Sequence, residues 1–246
     1  MVGASVGFHC PDCAKTGRQK VLTARSLVTR PFLTQVIIGI NAVVFVLDLA
    51  QGNSDSFVRG GGTLNDDLAL NARAVADGEW WRIVTSGFIH FGLIHLAMNM
   101  FALWILGSQI EAALGRLRFV LLYVVSLLAG AVGVLLLSPH ELTGGASGAI
   151  FGLLGAAIAG QRARGINIWD SGLGMVLVIN LAITFGIPGI SIGGHLGGLA
   201  GGFLVGLLFF DLGPRARTPT VAISACVALG TACVIGSLLL AANPIS

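Results

Sequence analysis

RLRFVLLYVVSLLAGAVGVLLLS, residues 116–138, opens with two arginines and then runs twenty residues without a charge. At 1.5 Å per residue a helix of that length is about 30 Å long, which matches the hydrocarbon thickness of a bilayer. The rest of the chain repeats the pattern. Of 246 residues, 55% are hydrophobic and only 10% charged, and the mean hydropathy is +0.89. A soluble domain of this size carries far more charge on its surface. Blocks between polar punctuation give seven candidate spans: Thr34 to Ala50, Phe91 to Ile110, Leu117 to Ser138, Ser147 to Gln161, Ser171 to Ile187, Gly194 to Phe210 and Thr220 to Ala242. The first block follows about thirty mostly polar residues, so it reads as a retained span and not as a cleaved secretion signal. The expected fold class is all-α, a polytopic transmembrane helical bundle.

The basic residues set an orientation. Lys15, Arg18, Lys20, Arg25 and Arg30 precede the first span, and Arg116, Arg118, Arg162, Arg164, Arg215 and Arg217 fall in alternate loops. Eleven of the fourteen basic residues thus lie on one side, leaving Arg59, Arg73 and Arg82 on the other. Basic loops face the cytoplasm. The expectation is a cytoplasmic N-terminus, an outer C-terminus and a bacterial plasma-membrane location. The net charge of +3 is explained by this placement and does not call for nucleic acid. The first outer loop, about Gln51 to Ile89, is too polar to span. Its Trp80-Trp81-Arg82 suits the headgroup region.

Polar residues inside the spans are costly and require a reason. His95 and Asn99 are one helical turn apart on one face of the second span. Ser147 opens the fourth span within Gly144-Gly145-Ala146-Ser147-Gly148, and His195 opens the sixth after Gly193-Gly194. All three spans run in the same direction. Ser147 lies about 15 helical steps, or roughly 22 Å, from Arg162 at the opposite surface. His195 and His95 lie about 16 steps, or roughly 24 Å, from Asp211 and Glu111. The polar groups are therefore expected at one depth. Gly148, Gly152 and Ala156 line one face of the fourth span, and Gly194, Gly198, Gly202 and Gly206 line one face of the sixth. Such stripes let membrane helices approach closely, which would set Ser147 beside His195.

A serine hydroxyl needs a base to become a nucleophile, and His195 is the candidate. The Ser147 backbone N–H with the side chains of His95 and Asn99 could hold a developing oxyanion. No intramembrane carboxylate is placed to orient His195, so a two-residue dyad is expected. Each residue also has a plainer reading. Ser147 could be a small packing residue, and His195, His95 and Asn99 could be interhelical hydrogen-bonding groups. His90 and His140 read as solvated or structural, and Glu111 as an ion-pair partner of Arg116 or Arg118.

These residues resemble the rhomboid intramembrane proteases from about Thr34 to Asp211. The matching pieces are Trp81-Arg82, His90 through Asn99, Gly107-x-x-x-Glu111-x-x-x-Gly115, Gly145-Ala146-Ser147-Gly148 and His195-x-x-Gly198-x-x-x-Gly202. The resemblance implies a six-helix core plus a seventh C-terminal helix, divided as tail 1–33, membrane core 34–212, and linker with seventh helix 213–246. It implies a serine-type endopeptidase with Ser147 as nucleophile, His195 as general base, and His95 and Asn99 as oxyanion donors. Its substrates would be transmembrane segments of other proteins within the lipid bilayer, with no cofactor. Where the family often carries a tyrosine one turn after the serine, this chain has Phe151. Two rivals stand beside this reading: an inactive rhomboid-like protein that binds membrane clients, and a small transporter or channel with proton-carrying histidines.

The cysteines form two pairs. Cys226 and Cys233 read as small buried residues of the last span. Phe8-His9-Cys10-Pro11-Asp12-Cys13 looks like half of a zinc ribbon. A closed site needs four ligands, so Cys10 and Cys13 would require a second pair upstream, and no metal is expected on the chain as it stands.

Overall fold

A computed structural model describes residues 2–3, 8–9, 31–51, 62–216 and 219–244. The chain divides into two compact units, Met1–Arg30 and Pro31–Ser246. In the first, β1 (Val2–Gly3) pairs antiparallel with β2 (Phe8–His9). Cys10 and Cys13 lie outside the described residues.

The second unit is a helical bundle. Its elements are α1 (Phe32–Gln51), three short helices α2 (Thr63–Leu68), α3 (Ala72–Ala76) and α4 (Arg82–Thr85), then α5 (Leu93–Leu114), α6 (Arg116–Leu137), α7 (Ser147–Ala163), α8 (Leu173–Gly186), α9 (Ile192–Leu207), α10 (Gly213–Ala216) and α11 (Pro219–Ala242). A π turn, Leu208–Leu212, extends α9. Among the described residues, α1, α5, α6, α9 with its π turn, and α11 are long and apolar enough to cross a membrane. α7 and α8, with 17 and 14 residues, are shorter. The seven long elements follow the seven apolar blocks of the sequence. The chain is an integral, multi-pass membrane protein.

α6, α7 and α9 form the centre, with α1, α5, α8 and α11 around them. Glycine makes this centre possible. A methyl group on Gly198 would strike the Gly148 carbonyl, one on Gly202 the Gly152 carbonyl, and one on Gly206 would meet Ala156 Cα at 2.7 Å. The stripes of α7 and α9 therefore interlock residue by residue, at a backbone separation that no side chain would allow. α9 has a second glycine face, in which Gly193 meets Gly133 and Gly197 meets Ala129 on α6. Phe119, Leu122, Leu153 and Val205 are fully buried in the interior. Ile94, Phe101, Leu137 and Leu239 point outward, as lipid permits.

Glu111 does not pair with Arg116 or Arg118. Its carboxylate accepts from Leu33 N at 2.9 Å, Thr34 N at 2.8 Å and Thr34 Oγ1 at 2.8 Å. It thus satisfies orphan donors at the start of α1, where a negative charge is favoured. Gly107 lets α1 approach, because a methyl there would meet Thr34 at 3.0 Å, and Gly115 turns the chain into α6 at φ +76°. The guanidinium groups of Arg116 and Arg118 instead lie over the rings of Phe32 and Phe209.

Candidate active site

The loop before α5 is built around a charge turned inward. The sequence suggested that Arg82 sits at the headgroups with the two tryptophans. Trp80 and Trp81 are exposed, but Arg82 is buried. Its Nε donates to Glu79 Oε2 at 2.5 Å and its Nη1 to the carbonyls of Asp66 and Ala69 at 2.6 and 2.7 Å. A guanidinium has enough donors to hold the end of α2 and Glu79 at once, which repays its burial. The loop so ordered reaches the segment before Ser147. Leu70 and Thr143 form an antiparallel bridge, and Gly145 N donates to Ser86 O at 2.8 Å.

Ser147 is therefore presented from both sides, by a fixed loop before it and by α7 after it. Gly145 has φ +134°, a conformation that favours glycine. A methyl at this position would lie 2.9 Å from His95 Nε2 and 3.6 Å from Ser147 Oγ, so the imidazole and the hydroxyl flank one point. The His95 tautomer follows from its other nitrogen. Nδ1 accepts from Phe91 N–H at 3.3 Å, so a neutral ring carries its proton on Nε2, the nitrogen near Gly145. Asn99, one turn further along α5, donates through Nδ2 to the His95 carbonyl at 2.9 Å, leaving one amide hydrogen uncommitted.

His195 is buried in the first turn of α9. Its ring stacks on Phe151 with centroids 3.9 Å apart and planes 17° apart. Phe151 lies one helical turn after Ser147 on the same helix, so the stack holds the imidazole next to the start of α7. No hydrogen bond joins the Ser147 hydroxyl to His195 among the described residues. A cavity of about 30 Å³, room for roughly one water, lies beside Ser147, lined by Ser86, Gly145, Gly148, Ser191 and Gly194 among others. The structure thus gathers Ser147, His195, His95 and Asn99 at one end of the bundle.

Other expectations fare differently. His90 is buried, not solvated, and its ring packs 5.0 Å from that of His95. Burial, reinforced by His95, pushes its pKa down to about 3. His140 is exposed. Cys226 and Cys233 are buried free thiols. Among the described residues no cluster of three metal-ligating side chains exists.

Sequence reasoning missed Thr184. This residue of α8 is buried, and its Oγ1 lies 2.7 Å from His195 Nδ1. The available signal was weak. Asn180 and Thr184 are an i, i+4 polar pair inside an otherwise apolar block.

The fold is that of a multi-pass membrane protein with a cluster of polar side chains buried at one end of its helices. The Rhomboid domain family model matches residues 77–212, more than half of the chain. Rhomboid protease GluP of Bacillus subtilis (strain 168) is 34% identical over 180 residues, which cover 71% of this chain and 34% of that protein. Putative rhomboid protease YdcA of the same organism is 35% identical over 138 residues, 54% of this chain and 69% of that one. Rhomboid protease GlpG of Yersinia pestis (strain Pestoides F) is 35% identical over 143 residues, 56% and 50% of the two chains. The chain belongs to the rhomboid family. It spans about a third of GluP and half of GlpG.

Proposed function

We propose that this rhomboid is an intramembrane serine endopeptidase in which Ser147 is the nucleophile and His195 the general base. The observation that carries the reading is the His195 ring stacked on Phe151, one turn from a serine at a glycine-walled helix start. Ser147 Oγ attacks the scissile carbonyl carbon while His195 Nε2 takes its proton. The carbonyl oxygen becomes an oxyanion, which the Ser147 N–H, His95 Nε2–H and the Asn99 amide would receive. Collapse expels the amine, which takes the proton from His195 and leaves an acyl-enzyme. Water, deprotonated by the same imidazole, then attacks the acyl carbon, and collapse releases the acid while His195 returns the proton to Ser147 Oγ.

Substrates in this reading are transmembrane segments of other proteins, reached within the bilayer. The basic loops favour a cytoplasmic N-terminus and a bacterial plasma membrane, with tail 1–33, core 34–212 and a seventh helix in 213–246. Cleavage of a membrane-anchored reporter in liposomes tests the proposal. Ser147→Ala and His195→Ala should each lower turnover by about 10⁴-fold or more. Equal cleavage by all three proteins would remove the dyad, and no cleavage by wild type on any anchored reporter would favour a client-binding protein.

A further inference from the structure

We infer that Thr184 is a positioning residue that fixes the tautomer of His195. The inference rests on the proposed role of His195 as base and follows from counting hydrogens. Thr184 Oγ1 lies 2.7 Å from the Asn180 carbonyl oxygen and 2.7 Å from His195 Nδ1. A hydroxyl has one hydrogen, and a carbonyl oxygen has none to give. The hydrogen on Thr184 must therefore point at Asn180, since two bare oxygens at that distance would repel. The hydroxyl then offers His195 only lone pairs, so the hydrogen in the second contact belongs to Nδ1. A neutral imidazole with its proton on Nδ1 carries its lone pair on Nε2, and this is the form a general base needs.

The placement of Thr184 supports this role. α8 is the least embedded of the long helices, and among its residues only Gly174 and Thr184 are buried. A methyl group on Gly174 would strike the Trp169 ring of the preceding turn, so this glycine serves the start of α8. Thr184 sits near the other end, turned toward α9, and its hydroxyl is the buried polar tie from α8 to the site. In the protease triads a carboxylate holds the imidazole. Here a neutral hydroxyl back-bonded to its own helix does so, which orients the ring without placing a second charge in the membrane.

The test combines spectroscopy with kinetics on the full chain. In wild type, ¹⁵N spectra of labelled histidine in detergent should show His195 protonated at Nδ1 and bare at Nε2, assigned by comparison with His195→Ala. Thr184→Val, similar in shape but without the hydroxyl, should give mixed tautomers and a fall in kcat of about tenfold, with KM within about twofold. Thr184→Ser keeps the acceptor and should return kcat to within about threefold of wild type. A wild-type His195 protonated at Nε2, or an unchanged kcat in Thr184→Val, would overturn the inference. If Thr184→Val does not fold, the wild-type spectrum still decides. If His195→Ala cleaves like wild type, the dyad itself fails. An inactive His195→Ala beside a fully active Thr184→Val defeats only the role of Thr184.

Discussion

The distance between α7 and α9 sets the distance between the proposed nucleophile Ser147 and the proposed base His195, and Gly198→Ala would change it. The added methyl would stand 2.7 Å from the Gly148 carbonyl carbon and 3.0 Å from its Cα. Carbon atoms rest at about 3.5–4.0 Å, and both partners are backbone that cannot rotate away. The two helices must therefore part by about 1 Å at the level of the first turn of α7. Overpacking of this kind costs about 1–3 kcal/mol of stability. A shift of about 1 Å between reacting groups can cost about 100-fold in rate. Gly148→Ala is the control. Its methyl would meet the Gly194 carbonyl oxygen at 3.2 Å and Gly130 Cα at 3.6 Å, so adjustments of a few tenths of an ångström suffice. Reporter cleavage and thermal unfolding in the same detergent should show Gly198→Ala folded at lower temperature and slower by about 100-fold, with Gly148→Ala within about fivefold of wild type. Equal activity in the two variants would refute the view that glycine contact tunes the site.

Three further outcomes follow from named contacts. Phe151→Ala removes the ring under His195 and should lower kcat by about 10- to 100-fold, whereas Phe151→Tyr should keep most of it, as reporter cleavage would record. Glu111→Ala leaves the start of α1 without its acceptor and should cost about 2–3 kcal/mol in thermal unfolding, with Glu111→Gln intermediate. His90 lies in the loop before α5, and burial holds its folded pKa near 3, below the ordinary 6.5. Protons therefore favour the unfolded chain, and the neutral ring's contribution is complete above about pH 6.5 and drains away as pH falls toward 3. Between pH 7 and 5 wild type should lose about 2 kcal/mol more than His90→Leu, and equal losses in unfolding experiments would contradict this.

Much of the candidate site was legible because its signals are local. The i, i+4 pair His95 and Asn99 defines a face without any knowledge of the fold. The two glycine stripes predicted close contact between the fourth and sixth spans, and α7 and α9 do meet, Gly148 against Gly198 and Gly152 against Gly202. What escaped was pairing between distant segments. Glu111 looked like a neighbour of Arg116 until α1, 77 residues away, brought Thr34 to it. Arg82 read as a headgroup anchor because nothing in Trp80-Trp81-Arg82 reveals the carbonyls of Asp66 and Ala69 folding over it. The second glycine face of α9 was visible as composition, but its partner on α6 was not. Thr184 was passed over because a threonine in an apolar helix usually bonds its own backbone, and it does so here while also reaching His195.

Activation of one hydroxyl by one imidazole is the claim on which the function depends, and covalent labelling reads it without a substrate. A fluorophosphonate probe reacts with a serine only when a base withdraws its proton. Mass spectrometry of labelled full-length protein in detergent should place a single adduct on the peptide containing Ser147, absent from both His195→Ala and Ser147→Ala. An unlabelled wild-type Ser147, or equal labelling in His195→Ala, would contradict the account.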